Sequence, residues 1–349
     1  MSNSAHNPHH SKPNSKNHPQ SADADIANFE QVNYLEVTRN QHEQRLDNFL
    51  LARLKGLPRS HVYNLIRSDE VRVNNKRCKP HDKLYRGDVV RIAPVRLATR
   101  AKPIISQEFA DGLLERIVYE DEGLLVLNKP SGMAVHGGSG VDFGVIEAIR
   151  EATGKSYLEL VHRIDKDTSG LLMIAKKRST LKTLQQHLRD KTIQKHYLCV
   201  VQGQPVLDEF LIDAPLRRYT LPNGERRVKV DDNTKKGDKS GDAKPSQTQC
   251  KVLKRFELSG QAVSLIQASP LTGRTHQIRV HLAHLGHPLL GDDKYHPTWI
   301  AGWIEGNGQA FADVRRLCLH AWQLEIPDYE VIEAELPEDM AQYAKYLLP

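Results

Sequence analysis

The sequence predicts an α+β protein: a mixed, largely antiparallel-sheet domain over 116–349, preceded by a small basic α/β module over 43–100. Three observations predict it. After residue 116 the strand-like runs outnumber the helical ones and do not alternate with them strictly, which argues against a doubly wound sheet. The positive charge is concentrated: 43–100 holds fourteen Lys or Arg against six Asp or Glu, while the whole chain is only +6, so the remainder is slightly acidic. Finally, two apolar runs at 158–162 and 171–175 bracket a turn crowded with charged residues, the way a rigid scaffold presents a site. With 39% hydrophobic residues in 349, the chain is long enough for one large core and one small one.

Residues 1–28 are Asn, Ser, His, Pro and Lys with almost nothing apolar. Such a stretch buries too little surface to offset its chain entropy and is predicted to be disordered. Its His6, His9, His10 and His18 are read as part of a solvated tail rather than a metal site. The basic module follows. Leu46, Phe49, Leu50 and Leu54 have helical spacing, Pro58 and Ser60 open a second helix with Val62, Leu65 and Ile66 on one face, and VRVNNKRC (71–78) reads as a hairpin around an Asn-Asn-Lys turn. KLYRGDVVRIAP (83–94) is predicted to close the module as a strand. Residues 101–115, with their Lys102-Pro103 break, are predicted to be a linker.

The large domain opens with a hairpin, IVYED and LLVLNK, turned at Asp121-Glu122-Gly123. Further strands are predicted at 158–162, 171–175, 196–203, 262–268 and 317–326, and helices at 144–153, 178–190 and 275–286. The polar stretch 219–248 is expected to be a flexible insertion between two strands.

Missing motifs weaken the nucleotide hydrolase, dehydrogenase and metallohydrolase readings. Gly154-Lys155-Ser156 lacks the glycine that a phosphate-binding loop needs at 149, GGSGVDFG (137–144) fits neither G-x-G-x-x-G nor G-x-S-x-G, and His276 and His281 are five apart with no Glu between them. Cys78, Cys199, Cys250 and Cys318 form no C-x-x-C pair and read as reduced thiols. No apolar run is long enough to span a bilayer and no signal-peptide core is present, so the expected location is the cytoplasm.

Three segments carry chemistry-bearing residues. HRIDKDTSGLLMIAK (162–176) displays Arg163, Asp165 and Asp167 on a turn, and Asp167 is suited to an Asx-turn onto backbone N–H groups near Ser169. TGRTHQIRVHLAHLGHPLLGD (272–292) crowds Arg274, His276, Gln277, Arg279 and His281 at one end of a helix. A carboxylate elsewhere in the domain would find its counter-ion in Arg279 or Arg274. QKHYLCVV (194–201) starts an apolar strand at Tyr197, where a tyrosine is commonly core.

HRIDKDTSG resembles the central motif of the RluA family of RNA pseudouridine synthases. GRTHQIRVH is similar to a second motif of that family, Lys195–Tyr197 to its K-x-Y motif, and NKPSGMAVHGG (128–138) to its opening motif. All four fall in the family's order. The helix-helix-hairpin module resembles an S4 RNA-binding domain, and the layout is most like family members that act on large-subunit ribosomal RNA. The resemblance implies that Asp165 is the catalytic carboxylate, kept ionised by Arg279, that Tyr197 and Ile278 hold the two faces of the uracil, and that Arg163 fills the gap left by a flipped base, with His162 and Arg274 as further substrate contacts. It implies Arg45, Lys55, Arg59, Arg67, Arg72, Lys76, Arg77 and Lys79 as phosphate contacts. It also implies 23S ribosomal RNA as partner, with no cofactor, no metal, no membrane and a monomeric enzyme. Two rivals remain at this level. Asp165-Lys166-Asp167 superficially matches the D-x-D of aspartyl-phosphate phosphatases, but His162-Arg163 intrude where those enzymes have an apolar strand. The basic module alone also suits a non-catalytic ribosome-assembly factor.

Overall fold

The computed structural model describes residues 20–21, 29–54, 57–95, 105–138, 141–231, 243–258, 260–296, 314 and 316–346. The chain divides into two units, Met1–Lys102 and Pro103–Pro349.

In the first unit, strands β1 (Gln20–Ser21), β2 (Asn33–Glu36), β3 (Val71–Val73), β4 (Lys76–Arg77) and β5 (Val89–Ile92) form one sheet in the order β1-β2-β5-β3-β4, with helices α1 (Leu46–Arg53) and α2 (Arg59–Arg67) between β2 and β3. The apolar stripes predicted for the helices are its core: Leu46, Phe49, Leu50, Leu54, Val62, Leu65 and Ile66 pack with Leu35, Val71, Val90 and Ile92. Asn74 and Asn75 both take positive φ, at 50° and 64°, the conformation a two-residue hairpin turn requires. Asn74 also accepts the Val89 N–H at 2.8 Å, which fixes the hairpin to β5. The module begins earlier than residue 43, because β2 pairs antiparallel with β5 and buries Leu35. The strand predicted over 83–94 is shorter, since Tyr85–Asp88 turn through Gly87 at φ 88° and only Val89–Ile92 join the sheet. Of the tail 1–28, residues 20–21 add the parallel strand β1; the others, including the four histidines, lie outside the described residues.

The second unit is built on one large sheet. Its strands are β6 (Ile117–Glu120), β7 (Leu124–Lys129), β8 (Glu159–Leu160), β9 (Ser169–Ala175), β10 (Gln194–Gln202), β11 (Glu209–Asp213), β14 (Gln247–Leu258), β15 (Gln261–Pro270), β16 (Leu319–Glu325) and β17 (Ile332–Glu333). The order is β11-β14-β15-β10-β16-β9-β7-β6, with β8 beside β9 and β17 beside β16. Every pairing is antiparallel except β9 with β16. Leu172 and Ile174 of β9 and Tyr197, Cys199 and Val201 of β10 enter one core with α4 (Val145–Thr153) and α6 (Gln277–His284). Leu171 and Met173 face the opposite way, toward α5 (Arg178–Asp190). Burial on both faces explains why LLMIA and HYLCVV are unbroken apolar runs rather than alternating ones.

Two expectations are corrected here. The segment 101–115 holds helix α3 (Gln107–Leu114), capped by Ser106 and burying Leu113 in the main core, so it is not a linker throughout. Within 219–248, Arg226–Val230 is a strand, β13, paired with β12 (Leu216–Thr220). Val228 is buried between charged neighbours, a two-residue period that the polar composition hides. Residues 232–242 lie outside the described residues.

Candidate active site

A row of paired residues crosses the sheet: Ala268 on β15, Tyr197 on β10, Ala321 on β16, Gly170 on β9 and Lys129 on β7. Small residues flank Tyr197 on either side, and its ring is buried in the core at the wall of a cleft. Gly170 sits at φ 104°, and a Cβ there would lie 2.2 Å from the Ala321 carbonyl oxygen. Only glycine lets the charged turn 163–168 enter the sheet beside its one parallel neighbour.

That turn is held from beneath. Lys129 is fully buried, and its Nζ donates to the carbonyls of Pro130 (2.7 Å), Met133 (2.8 Å) and Lys166 (3.0 Å). Ser131 Oγ donates to the Asp167 carbonyl at 2.7 Å. Burial lowers the Lys129 pKa to about 7, opposed by the charges of Asp167 and Asp165. The NKPSG segment is therefore a clamp on the backbone of the Asp165 turn. The Asx-turn expected of Asp167 is not formed: its backbone carbonyl is anchored, and its carboxylate takes no hydrogen bond among the described residues.

Above the turn is a cleft of about 230 Å³ lined by Arg163, Asp165, Lys195, Tyr197, Arg218, Arg274, His276, Ile278 and Arg279, among others. The structure thus brings together six of the seven residues predicted for catalysis or substrate contact. His162 does not line it. Its Nε2 accepts the Met173 N–H at 3.1 Å, and burial, aided by Lys195, lowers its pKa to about 3, so it serves the strand as a neutral acceptor. Arg163 is exposed at the rim, Arg274 donates from Nε to the Pro245 carbonyl at 3.2 Å, and Ile278 is buried in the wall. Burial, and then the charge of Asp165, raise the Tyr197 pKa above the ordinary phenol range, so the hydroxyl keeps its proton at neutral pH.

The expected ion pair between Arg279 and Asp165 is corrected. Arg279 is fully buried and forks onto Asp292, Nε to Oδ2 at 2.8 Å and Nη2 to Oδ1 at 2.6 Å, with Asp293 Oδ1 at 3.2 Å. Burial opposes its charge, but the hydrogen bonds and charge of Asp292, with a smaller pull from Asp165, raise its pKa above the usual value. Asp292 also accepts the N–H groups of Lys294 and Tyr295, at 2.9 and 3.0 Å. The carboxylate that satisfies Arg279 thus comes from the GDDKY loop, and Asp165 keeps both oxygens free of hydrogen bonds among the described residues. The basic group within ion-pair distance of Asp165 is His276, its Nε2 4.0 Å from Oδ2.

Lys195 also reaches the cleft, with its pKa lowered by burial and no hydrogen-bond partner among the described residues. The sequence drew attention to NKPSG, K-x-Y and THQ without giving Lys129, Lys195 or His276 a role. Asp292 and Tyr295 lay at or beyond the motif boundary. Among the described residues, no group of three His, Cys, Asp or Glu is placed to hold a metal, and no helix is long and apolar enough to cross a membrane.

In the basic module, Asp47 is fully buried and gathers Arg45 (Nη2 at 2.6 Å), Arg59 (Nη2 at 3.1 Å) and the Tyr63 hydroxyl (2.8 Å). Arg72 and Arg77 pair with Asp69, at 2.5 and 3.6 Å. Arg67, Lys76 and Lys79 are exposed and their side chains form no ion pair among the described residues; Lys55 lies outside those residues.

A family model described as RNA pseudouridylate synthase matches residues 123–284, and an S4 domain model matches 44–90. The chain is 46% identical over 314 residues to ribosomal large subunit pseudouridine synthase C of Yersinia pestis, covering 88% of this chain and 92% of that one. It is 45% identical over 314 residues to the protein of the same name from Escherichia coli strain K12, covering 88% and 93%. Among solved structures, human RNA pseudouridylate synthase domain containing 4 superposes with a TM-score of 0.55 at 26% identity, over 69% of this chain and 96% of that one. A mixed, mostly antiparallel sheet carrying this cleft, an S4 module match earlier in the sequence, and these identities place the chain in the family of RNA pseudouridine synthases.

Proposed function

We propose that this chain isomerises uridines of 23S ribosomal RNA to pseudouridine, with Asp165 as the reacting carboxylate. The observation that carries the assignment is the contrast within the cleft. Arg279, Asp292 and Lys129 are engaged by protein partners, while the Asp165 carboxylate lines the cleft with Tyr197 and Ile278 and takes no hydrogen bond among the described residues.

The reaction breaks the N1–C1′ bond, turns the uracil, joins C5 to C1′ and releases the C5 proton. It is redox-neutral, so a positioned carboxylate and a shaped pocket are what it demands of the protein. Asp165 serves it either as nucleophile at C1′ or by taking the 2′ proton. The base must leave the stack, at a cost of a few kcal/mol. Arg163, exposed at the rim, has the planar guanidinium to fill the vacated place. Tyr197 and Ile278 sandwich the uracil, the former as a neutral phenol. Lys195, Arg218 and Arg274 meet the flanking phosphates. The S4-type module adds affinity through Arg67, Lys76 and Lys79, with Arg45, Arg59, Arg72 and Arg77 held in fixed geometry by Asp47 and Asp69.

A ribosomal RNA substrate supports a cytoplasmic enzyme. The test is a pseudouridine map of large-subunit rRNA from cells lacking this protein. Specific sites should lose the modification and regain it with the wild-type chain but not with Asp165→Asn. An unchanged map would remove 23S rRNA as the substrate.

A further inference from the structure

His276 occupies an unusual position. It caps α6 in the left-handed region, at φ 52°, a conformation few non-glycine residues adopt without a reason elsewhere in the structure. Its ring is 15% exposed and lines the cleft. Nδ1 lies 2.7 Å from the Tyr295 hydroxyl, and the two rings meet edge to face with centroids 5.5 Å apart. The hydroxyl in turn accepts the Val228 N–H at 3.1 Å. Nε2, on the far side, points at Asp165 Oδ2 across 4.0 Å.

The Tyr295 hydroxyl accepts the Val228 N–H and has no acceptor for its own proton among the described residues other than Nδ1, so the arrangement that uses every partner has Nδ1 accepting. Neutral imidazole carries its one proton on the other nitrogen, and Nε2–H faces the carboxylate. The ring stays neutral because burial lowers its pKa. The nearby charges divide, Asp165 and Asp292 favouring the cation, Arg279 and Lys294 opposing it. Tyr295 is itself fixed, with the Arg279 guanidinium 5.2 Å from its ring centre and Asp292 accepting its N–H.

We infer that His276 is a positioning residue for Asp165: with its tautomer set by Tyr295, it donates a hydrogen bond from Nε2 to Oδ2 when RNA closes the cleft and so leaves Oδ1 to face the ribose. Shortening 4.0 Å to hydrogen-bond length requires a movement of about 1 Å. Catalytic contacts of this kind are commonly long in the free enzyme and tighten with substrate. The inference rests on the reading of Asp165 as the reacting carboxylate.

The experiment uses the full chain and a large-subunit rRNA fragment tritiated at uracil C5, with release measured under single turnover and RNA affinity measured separately. His276→Ala should slow release about 10- to 100-fold, the value of a hydrogen bond to a charged group, with affinity unchanged within about 2-fold. His276→Gln, whose amide N–H reaches the same place, should recover most of the rate. The imidazole ¹⁵N signal that disappears in His276→Gln should show protonation at Nε2 in the wild type and a loss of that preference in Tyr295→Phe. Turnover of His276→Ala within about 2-fold of wild type, equal loss in Ala and Gln, or a wild-type signal protonated at Nδ1 would each overturn the inference. Asp165→Asn is run alongside. If it turns over, the reading of Asp165 fails; if it is dead while His276→Ala is unimpaired, only the role of His276 fails.

Discussion

Asp165 and Asp292 belong to the same cleft and are treated in opposite ways. Asp292 is fully buried and accepts two hydrogen bonds from Arg279 and two from backbone N–H groups. Asp165 is 28% exposed, and its carboxylate is left without a hydrogen bond among the described residues. A buried carboxylate must be paired or it takes up a proton. One that is to react must keep an oxygen available. The structure gives the strong partner to Asp292 and holds the turn carrying Asp165 through the carbonyls of Lys166 and Asp167, by way of Lys129 and Ser131, which suits the role proposed for Asp165. The basic module shows the same division, with Arg45 and Arg59 engaged by Asp47 while Arg67, Lys76 and Lys79 are left for an outside partner.

The largest expected effect tests the free member of the pair. Asp165→Asn should lower tritium release by roughly 10²–10⁴-fold or more, the range for losing an acid–base group, while the melting temperature hardly moves because no partner is stranded. A variant that melts well below wild type would show that Asp165 is structural after all, and the contrast with Asp292 would collapse.

Next is the engaged member. Arg279→Ala and Asp292→Ala should each cost about 3–5 kcal/mol in urea unfolding, because each leaves a buried charge alone. Arg279→Ala combined with Asp292→Ala should cost much less than the sum. Arg279→Lys keeps the charge but loses the fork and should fall between. Asp165→Asn in the Arg279→Ala background should couple only weakly compared with Asp292→Ala, since Arg279 and Asp165 form no ion pair among the described residues and share only a smaller charge interaction. Coupling of 279 to 165 instead of 292 would reverse the comparison.

The Asp47 node gives a smaller effect with a definite pH signature. Burial pushes its pKa up, but the hydrogen bonds from Arg45, Tyr63 and the Asn48 N–H outweigh it, taking the value from 3.8 to about 2. A depressed carboxylate pKa contributes stability above its unfolded value and loses it as pH falls through the folded one. Wild type should therefore lose stability between about pH 4 and pH 2 more steeply than Asp47→Asn. Parallel melting curves across that window would show that the node contributes nothing.

Much of this was legible in the sequence, for physical reasons that differ by segment. The helices of the basic module were readable because Leu46, Phe49, Leu50, Val62, Leu65 and Ile66 sit at helical spacing, and burial follows that spacing. The cleft was readable because charged residues on a turn between two buried strands have few other uses. The partner of Arg279 was not. Charge complementarity says that a buried Arg needs a carboxylate, but not which one, and GDDKY straddles the end of the motif that holds Arg279. β13 was missed because Val228 is a single buried residue among charged ones, and α3 because a helix of eight residues after Lys102-Pro103 looks like a break.

The smallest effect concerns how free and engaged cations bind RNA. Each Lys or Arg that neutralises a phosphate releases counter-ions, and log K falls with log salt by a little under one unit per contact. Arg67, Lys76 and Lys79 have no competing carboxylate among the described residues. Arg45 and Arg59 already face Asp47. Replacing Arg67, Lys76 and Lys79 together by Gln should thus reduce the salt slope of rRNA binding by roughly three and leave the melting temperature alone. Replacing Arg45 and Arg59 by Gln should change the slope by less than two, because part of their charge is neutralised before RNA arrives, and should lower stability as Asp47 loses its partners. The measurement is binding to one rRNA fragment at several salt concentrations, with a melt on each variant. Equal slope changes per residue in the two sets, with no difference in stability, would mean that Asp47 does not hold its arginines in solution, and the division between engaged and free charge would apply to the catalytic unit only.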